Sequence, residues 1–392
     1  MDTVALKTSW ADVAAHGDEV PLYFYSHLFL SHPDLRQMFP IQMTGQRDKL
    51  VTALGQIVSN VDQLDDVVPF IQQLGRDHRR FSVATDHYSA VGASLLATLR
   101  KFLGEAWTSE LAESWAEAYG LVAKVMVAAA EQHEDIEPAF WEAEVVSVER
   151  RTVDVAVVEL APRQPYRFVP GQSVAIEVPQ RPRLWRYFSP ANAPRESGRV
   201  LLHVQPVDGG QVSPAVVRKL AVGDTVRMGA PVGERLTLPE GTNGGPTPDL
   251  LMVAGGTGLA PLRAVVEQID RAWEAQATAP RVHLFHGARL PWNLYDHQYL
   301  STLKAQRSWF DYTPVVSEDS SYPGAKGLVG STAADGGPWE GRVAMVCGSP
   351  GMVANTVSSL RAIGVPPAAI RTEQFDYDRP AALTTTGGDA ER

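Results

Sequence analysis

Two histidines, His78 and His87, stand within ten positions of each other in LGRDHRRFSVATDHY, residues 74 to 88 of a chain holding 10 histidines in 392 residues. Neutral imidazole is the commonest protein ligand for a transition metal, so each needs a test of where it points. Val67, Ile71, Leu74 and Phe81 recur at helical spacing, and His78 follows Leu74 by one turn on the same face, so His78 is expected to turn inward. His87 lies beyond a break at Thr85-Asp86, has no such stripe, and is expected at the surface or in a helix cap. A lone inward histidine is more often a hydrogen-bonded core residue than a ligand, and its neighbours must decide.

Three glycine turns offer a second kind of chemistry. In DGGQVSPAVVRKL, Gly209 and Gly210 precede a helix for which Ser213 is the expected N-cap and Pro214 opens the first turn, leaving free backbone N–H groups and a positive dipole end for an anion. An ordinary capped helix gives the same pattern. In LLMVAGGTGLAPLRAVV, a strand leads through Gly255, Gly256 and Gly258 into a helix with Pro261 where a helix tolerates it, and the glycines let the backbone approach a pyrophosphate. This is not the GxGxxG fingerprint and is a weak signal alone. VAMVCGSPGMV repeats the arrangement, with Cys347-Gly348-Ser349-Pro350-Gly351 leading from a buried strand into a helix. Two such turns at the carboxyl ends of parallel strands form the crevice where dinucleotides bind.

The elements that must hold these residues fall into regions. Residues 1 to 133 have helical periodicity, with breaks at Ser31-His32-Pro33, Met38-Phe39-Pro40 and Thr85-Asp86, and predict five to seven helices. Residues 138 to 240 are β in texture: valine-rich alternation in WEAEVVSVERRTVDVAVVEL, then PGQSVAIEV, GRVLLHVQPV and GDTVRMGAP between Gly and Pro turns, predicting a small antiparallel barrel or sandwich. The stretch PEGTNGGPTPD reads as a linker. From 248 to 378, strand-like LLMVA, RVHLFHG and RVAMVCG alternate with helical APLRAVVEQIDRAWEA and PGMVANTVSSLRAI, the pattern of a parallel α/β sheet. Residues 379 to 392 have no apolar period and are expected to be disordered. No internal repeat is found.

Composition narrows the function classes. At 392 residues and 44% hydrophobic content the chain can bury two or three separate cores. The single cysteine, Cys347, excludes an internal disulfide framework and fits a reducing, cytoplasmic setting. MDTVALKTSW lacks the basic flank and apolar core of a signal peptide. The apolar run from Leu121 to Ala130 is interrupted by Lys124 and is too short to span a bilayer. A formal charge of −10 argues against sequence-independent binding of nucleic acid, and the short basic QRPRLWR does not overturn that.

LGRDHRRFSVATDHY and YFYSHLFLSHPDLRQMF (23 to 39) resemble the proximal and distal segments of a bacterial flavohaemoglobin globin domain, and the likeness extends over nearly the whole chain. It implies a multidomain fold: an all-α globin, then an antiparallel β-barrel FAD domain, then an α/β parallel-sheet NAD-binding domain. It also implies that His78 is the proximal ligand of haem b, with Tyr88 in the proximal network. On the distal side it assigns Tyr25 as donor to a bound diatomic, Gln46 as the neighbouring polar position, Leu50 as apolar wall and Phe39 as the ring packed on the porphyrin. A phenol in an apolar pocket suits that task, because it stabilises developing negative charge. YFY offers three aromatics, and position within the motif favours Tyr25 over Tyr23.

RPRLWRYFSPANAP carries Arg186-Tyr187-Phe188-Ser189, close to the RxYS signature of the ferredoxin reductase superfamily. Strict strand alternation sends Arg186 and Ser189 to opposite faces; Pro190 eases the conflict by ending the ladder and holding Ser189 extended at the rim. The resemblance pairs Arg186 with the FAD pyrophosphate, sets Ser189 at the isoalloxazine edge, and adds Gly210, Val212 and Ser213 as the phosphate turn. Around the dinucleotide it implies Gly255, Gly256, Thr257, Gly258, Leu259 and Ala260, with Cys347, Gly348, Pro350 and Gly351 at the nicotinamide. In RTEQFDYD it implies Phe375 against the flavin with Glu373 nearby. Arg289, after FHGA, could grip a ribose 2′-phosphate, whereas the resemblance favours NADH; NADPH stays the alternative.

A hydride carries an electron pair and haem iron takes one electron at a time, so a flavin between them is the expected converter. The resemblance thus implies a nitric oxide dioxygenase, consuming nitric oxide and O2 at the expense of NADH, with no obligate protein partner. Two other classes fit the same motifs: a haem-based oxygen or redox sensor with an attached reductase, and a diaphorase-like flavoprotein with a degenerate globin. Departures from the family pattern are Asp77 before the proximal histidine, Ala130 with Glu131 where a proximal carboxylate belongs, Phe188 in RxYS, and Ser173 after PGQ.

Overall fold

The computed structural model describes residues 1–134, 136–241, 245–276 and 278–374. Phe375, the end of the third region and the tail from 379 lie outside them, as do positions 242–244 of the expected linker. The chain divides into two compact units, one running from Met1 to Phe140 and a second beginning at Trp141.

The first unit holds, among the described residues, six α-helices: α1 (Thr3–Ala14), α2 (Glu19–Ser31), α3 (Thr44–Ser59), α4 (Leu64–His78), α5 (Thr85–Leu103) and α6 (Ser109–Gln132). Two of their starts are fixed by side-chain caps that satisfy otherwise unpaired N–H groups: Asp2 accepts from Ala5 and Thr108 from Leu111. α2 stops at Ser31 because Pro33 follows, and a 3₁₀ turn (Pro33–Met38) carries the chain to Phe39 and Pro40. Between α4 and α5 the break falls at Ser82, in the left-handed region at φ 57°, so α5 already begins at Thr85. The apolar interior forms two clusters. One gathers Leu6, Val13, Leu28 and Leu99, and the other joins Val67 and Ile71 of α4 to Met126 of α6.

The second unit contains two six-stranded sheets. β1 (Trp141–Arg150), β2 (Ala156–Pro162), β3 (Ser173–Glu177), β4 (Trp185–Phe188), β5 (Val200–Val204) and β6 (Thr225–Val232) make an antiparallel sheet in the order β4-β3-β6-β1-β2-β5, with α7 (Val212–Lys219) between β5 and β6. Its two ends meet: Pro190 bridges Leu202, and Ala191 donates to the Leu201 carbonyl at 2.7 Å, so the strands curl toward closure. Inward valines of β1, β2 and β5 fill this layer, including Val145, Val158 and Val200.

The second sheet is parallel, in the order β10-β9-β8-β7-β11-β12. Its strands are β7 (Leu250–Gly255), β8 (Val282–Ala288), β9 (Phe310–Val316), β10 (Ala325–Lys326), β11 (Val343–Gly348) and β12 (Ile370–Gln374). The helices α8 (Leu259–Gln276), α9 (His297–Gln306), α10 (Val329–Asp335) and α11 (Pro350–Ala362) connect them. β7 reads LLMVAG because both faces are covered, and Leu250, Leu251, Met252 and Val253 have no exposure to solvent. The strand order reverses between β8 and β11 on either side of β7, and in open α/β sheets such a switch point is where ligands bind, at the carboxyl ends of the strands. No described helix is long and apolar enough to cross a membrane.

Candidate haem, flavin and dinucleotide sites

α4 carries His78 as its last residue, one turn beyond Leu74 and two beyond Ile71, so the stripe that packs α4 on α6 also aims the imidazole inward. Gly75 lets the two helices touch there, since a Cβ at that position would lie 2.3 Å from the Met126 carbonyl oxygen. The ring faces a cavity of about 320 Å³, whose walls include Phe39, Leu50, His78, Tyr88, Val91 and Val122. Its lining is almost wholly apolar, as the faces of a porphyrin require.

The donor set fits haem. His78 Nδ1 lies 2.7 Å from the Leu74 carbonyl oxygen, which fixes the proton on Nδ1 and leaves Nε2 with the lone pair a metal needs. Burial holds the His78 pKa below the ordinary imidazole value, outweighing the backbone bond to Leu74, so the ring is neutral as a ligand must be. Tyr88 lines the same cavity, and its own carbonyl accepts from the Tyr119 hydroxyl at 2.6 Å. Glu131 is exposed, so the acidic neighbour of Ala130 does not replace the expected proximal carboxylate. His87 caps α5 by accepting from the Ala84 N–H at 3.1 Å, and it also reaches the cavity wall.

Tyr25 and Gln46 stand one layer back from that wall. Tyr25 is 5% exposed and packs edge-on against Phe39 with centroids 5.5 Å apart. Gln46 Nε2 donates to its hydroxyl at 3.2 Å, and the hydroxyl lies 3.4 Å from the Gln46 carbonyl oxygen. Burial pushes the phenol pKa well up, so it stays protonated and able to donate.

In the second unit, residues far apart in sequence converge. The Ser173 hydroxyl donates to Glu373 Oε1 at 2.8 Å and lies 3.0 Å from the Ser189 hydroxyl. Glu373 stands opposite Cys347 in the β11–β12 register. The expected flavin-edge residues Ser189 and Glu373 thus meet through Ser173, a position noted in the sequence only for lacking an aromatic ring. Nothing in the sequence announces that link, since it joins positions 200 residues apart. Burial raises the Glu373 and Cys347 pKa values, keeping the thiol protonated.

Arg186 lies in β4 and is half-buried, Tyr187 beside it is exposed, Phe188 packs on the barrel core, and Ser189 is buried just past the strand end. One expectation is corrected. α7 begins at Val212 with Gln211 in the N-cap position, and Ser213 does not cap it. Its hydroxyl accepts from the Val207 N–H at 3.1 Å, closing the loop that contains Gly209 and Gly210. The hydroxyl satisfies a loop N–H within reach, which leaves the helix's first N–H groups to other partners.

The first glycine turn of the parallel sheet is tightly specified. Gly256 has φ 53°, a conformation that favours glycine. A Cβ on Gly258 would lie 2.3 Å from the Cys347 carbonyl oxygen, so the two glycine turns touch through their backbones. Thr257 completes the 3₁₀ turn, and Leu259 and Ala260 open α8. Gly348 ends β11, and Pro350 and Gly351 open α11. Residues the sequence reading missed support this turn. His286 is fully buried at the end of β8 with Nε2 3.1 Å from the Gly256 carbonyl. Arg263 donates to Asp296 at 2.7 Å and also to the Ala191 carbonyl, tying α8 to the antiparallel layer. His203 of β5 lies 3.0 Å from the Tyr295 hydroxyl. A histidine ending an apolar strand, as in HLFHG, was the available signal for His286.

Comparisons with known proteins agree with this architecture. The Globin family matches residues 22–126, the oxidoreductase FAD-binding domain residues 142–236, and the oxidoreductase NAD-binding domain residues 252–358. A flavohemoprotein of Rhizobium meliloti (strain 1021) is 30% identical over 342 residues, covering 81% of each chain. The crystal structure of a flavohemoglobin from Malassezia yamatoensis with bound FAD and haem superposes with TM-score 0.75 at 18% identity, over 95% of this chain and 98% of that one. The FAD/NAD-binding domain of a nitric oxide dioxygenase from Vibrio cholerae shares the reductase fold, with TM-score 0.50 at 19% identity over 60% of this chain and 98% of its own. A globin fold with haem, followed by FAD-binding and NAD-binding oxidoreductase domains on one polypeptide, makes this chain a member of the flavohaemoprotein family.

Proposed function

We propose that the protein is a nitric oxide dioxygenase, which uses O2 and a reduced nicotinamide dinucleotide to convert nitric oxide to nitrate in the cytoplasm. The observation that carries this reading is the pairing of a neutral, inward imidazole on an apolar cavity with a buried, protonated phenol one aromatic ring away. Bound in these sites, haem supplies a one-electron centre that binds a diatomic gas, and FAD divides the electron pair of a hydride into single transfers.

The chain's own residues do the rest. His78 holds the proximal side through Nε2, with Leu74 fixing the ring orientation. Leu50 and Phe39 give the pocket apolar walls. We assign Tyr25, oriented by Gln46, as the donor toward charge developing on a gas, a role that requires its hydroxyl to reach past Phe39 into the pocket, and its high pKa keeps the proton in place. On the reductase side we assign Arg186 and the Gly210, Val212, Ser213 turn to the FAD phosphates, and Ser189 with Ser173 and Glu373 to the flavin edge. We assign the two glycine turns to the dinucleotide.

The test is nitric oxide consumption by the holoprotein, with nitrate as product. Uptake is expected to require both O2 and NADH and to continue over many turnovers. A single stoichiometric uptake would favour a sensor, and NADH oxidation indifferent to nitric oxide would favour a diaphorase. In the same preparation Tyr25→Phe is expected to speed oxygen dissociation about tenfold, the cost of one hydrogen bond to a partly charged acceptor. An unchanged off-rate removes Tyr25 from that role.

A further inference from the structure

The segment SPANAPR, residues 189 to 195, begins with the expected flavin-edge serine, and three residues of α8 hold it. Arg263, Glu267 and Arg271 follow one another at four-residue steps, so they stand on one face of that helix. Arg263 donates to the Ala191 carbonyl, Glu267 accepts from Arg195 Nε at 3.2 Å, and Arg271 donates to the Pro194 carbonyl. Asn192 stiffens the segment from within. It is fully buried, donates to the Ala193 and Arg199 carbonyls at 2.8 and 3.0 Å, and accepts from the Leu201 N–H at 2.7 Å. The residues that follow Ser189 are therefore fastened along the helix that begins at the glycine turn.

Arg263 is the fixed point of this seam, one turn into α8 and buried. Its Nε donates to Asp296 at 2.7 Å, and its guanidinium lies 4.4 Å from the centre of the Tyr299 ring. Asp296 is buried too, and it also accepts from Arg151 at 3.1 Å, just beyond β1 of the antiparallel layer. A buried ion pair loses in desolvation much of what it gains in attraction, so it is weak evidence of added stability. What a planar fork of donors adds is a fixed spacing between its partners. We propose that Arg263 is a positioning residue: by spanning Asp296 and the Ala191 carbonyl it sets the distance between the flavin edge at Ser189 and the dinucleotide turn. It then governs how fast NADH reduces the flavin, and not how tightly either is bound. Transfer needs reacting atoms about 3–3.5 Å apart, and an error of about 1 Å costs on the order of a hundredfold. The inference rests on reading Ser189 and the glycine turns as the flavin and dinucleotide sites, and goes beyond it in naming what holds the two in register.

Arg263→Lys keeps a positive charge opposite Asp296, but a single ammonium nitrogen cannot span both partners in the same geometry. In anaerobic rapid mixing of the FAD-loaded full-length protein with NADH, the limiting rate of flavin reduction should fall about tenfold or more. The NADH concentration giving half that rate, and the calorimetric Kd for NAD⁺, should stay within about threefold, as expected when ground-state binding is untouched. The long-wavelength absorbance of nicotinamide stacked on reduced flavin should weaken in parallel. Arg271→Met, at a 41% exposed side chain that leaves the buried pair intact, should give the same split in milder form. A limiting rate and stacking absorbance unchanged in both variants overturn the proposal. So does a rate that falls only in step with NAD⁺ affinity or FAD content, which is the mark of a purely structural role. Failure of NAD⁺ to bind the unaltered chain removes the dinucleotide site and the positioning role together.

Discussion

His78→Ala is expected to abolish haem retention while the second unit still binds FAD. The purified variant should lose its Soret absorption and keep its flavin spectrum. His78 provides Nε2 on the cavity wall, while Leu74 orients the ring through Nδ1. Changing an orienting partner typically costs 10- to 100-fold in metal affinity, so removing the ligand should cost more than roughly a hundredfold. The substitution enlarges an existing cavity and leaves the Val67, Ile71 and Met126 packing in place, so the helical unit is expected to fold. Adding imidazole to His78→Gly should restore part of the band. A full Soret band and normal turnover in His78→Ala would show that another residue holds the iron.

Gly258→Ala should cripple the reductase with the smallest change in chemistry. The added methyl would meet the Cys347 carbonyl oxygen at 2.3 Å and its carbon at 2.6 Å, both main-chain atoms that no rotamer change can move. Overpacking of this kind costs about 1–3 kcal/mol, and shifting a binding loop by about an ångström costs on the order of a hundredfold in rate. NADH-dependent flavin reduction should therefore fall about a hundredfold while the Soret band is untouched. The turn cannot give way easily, because the Gly256 carbonyl is held by His286. Near-normal flavin reduction by NADH would mean that the two glycine turns do not form one site.

These two residues mark what the sequence could and could not disclose. The direction of His78 was legible because Val67, Ile71 and Leu74 set a helical period, and that period depends on local spacing alone. The glycine turn was legible for the same reason: strand, turn and helix adjoin in the chain. The Gly258 contact with Cys347 was not, since it depends on β11 pairing with β7 across almost a hundred residues. The Ser189, Ser173 and Glu373 chain was hidden likewise, and Ser173 looked like a loss when read only against a motif. Ser213 shows the opposite failure: its local pattern matched an N-cap, but the Val207 N–H captured the hydroxyl first.

Rapid mixing of the fully loaded protein with NADH in the absence of oxygen tests the central claim most directly, with flavin and Soret absorbance followed separately. Flavin bleaching should come first, and a Soret shift to the reduced form should follow within the same protein at a rate independent of protein concentration. A Soret band that never changes while the flavin bleaches, or one that changes without the flavin, would contradict the account.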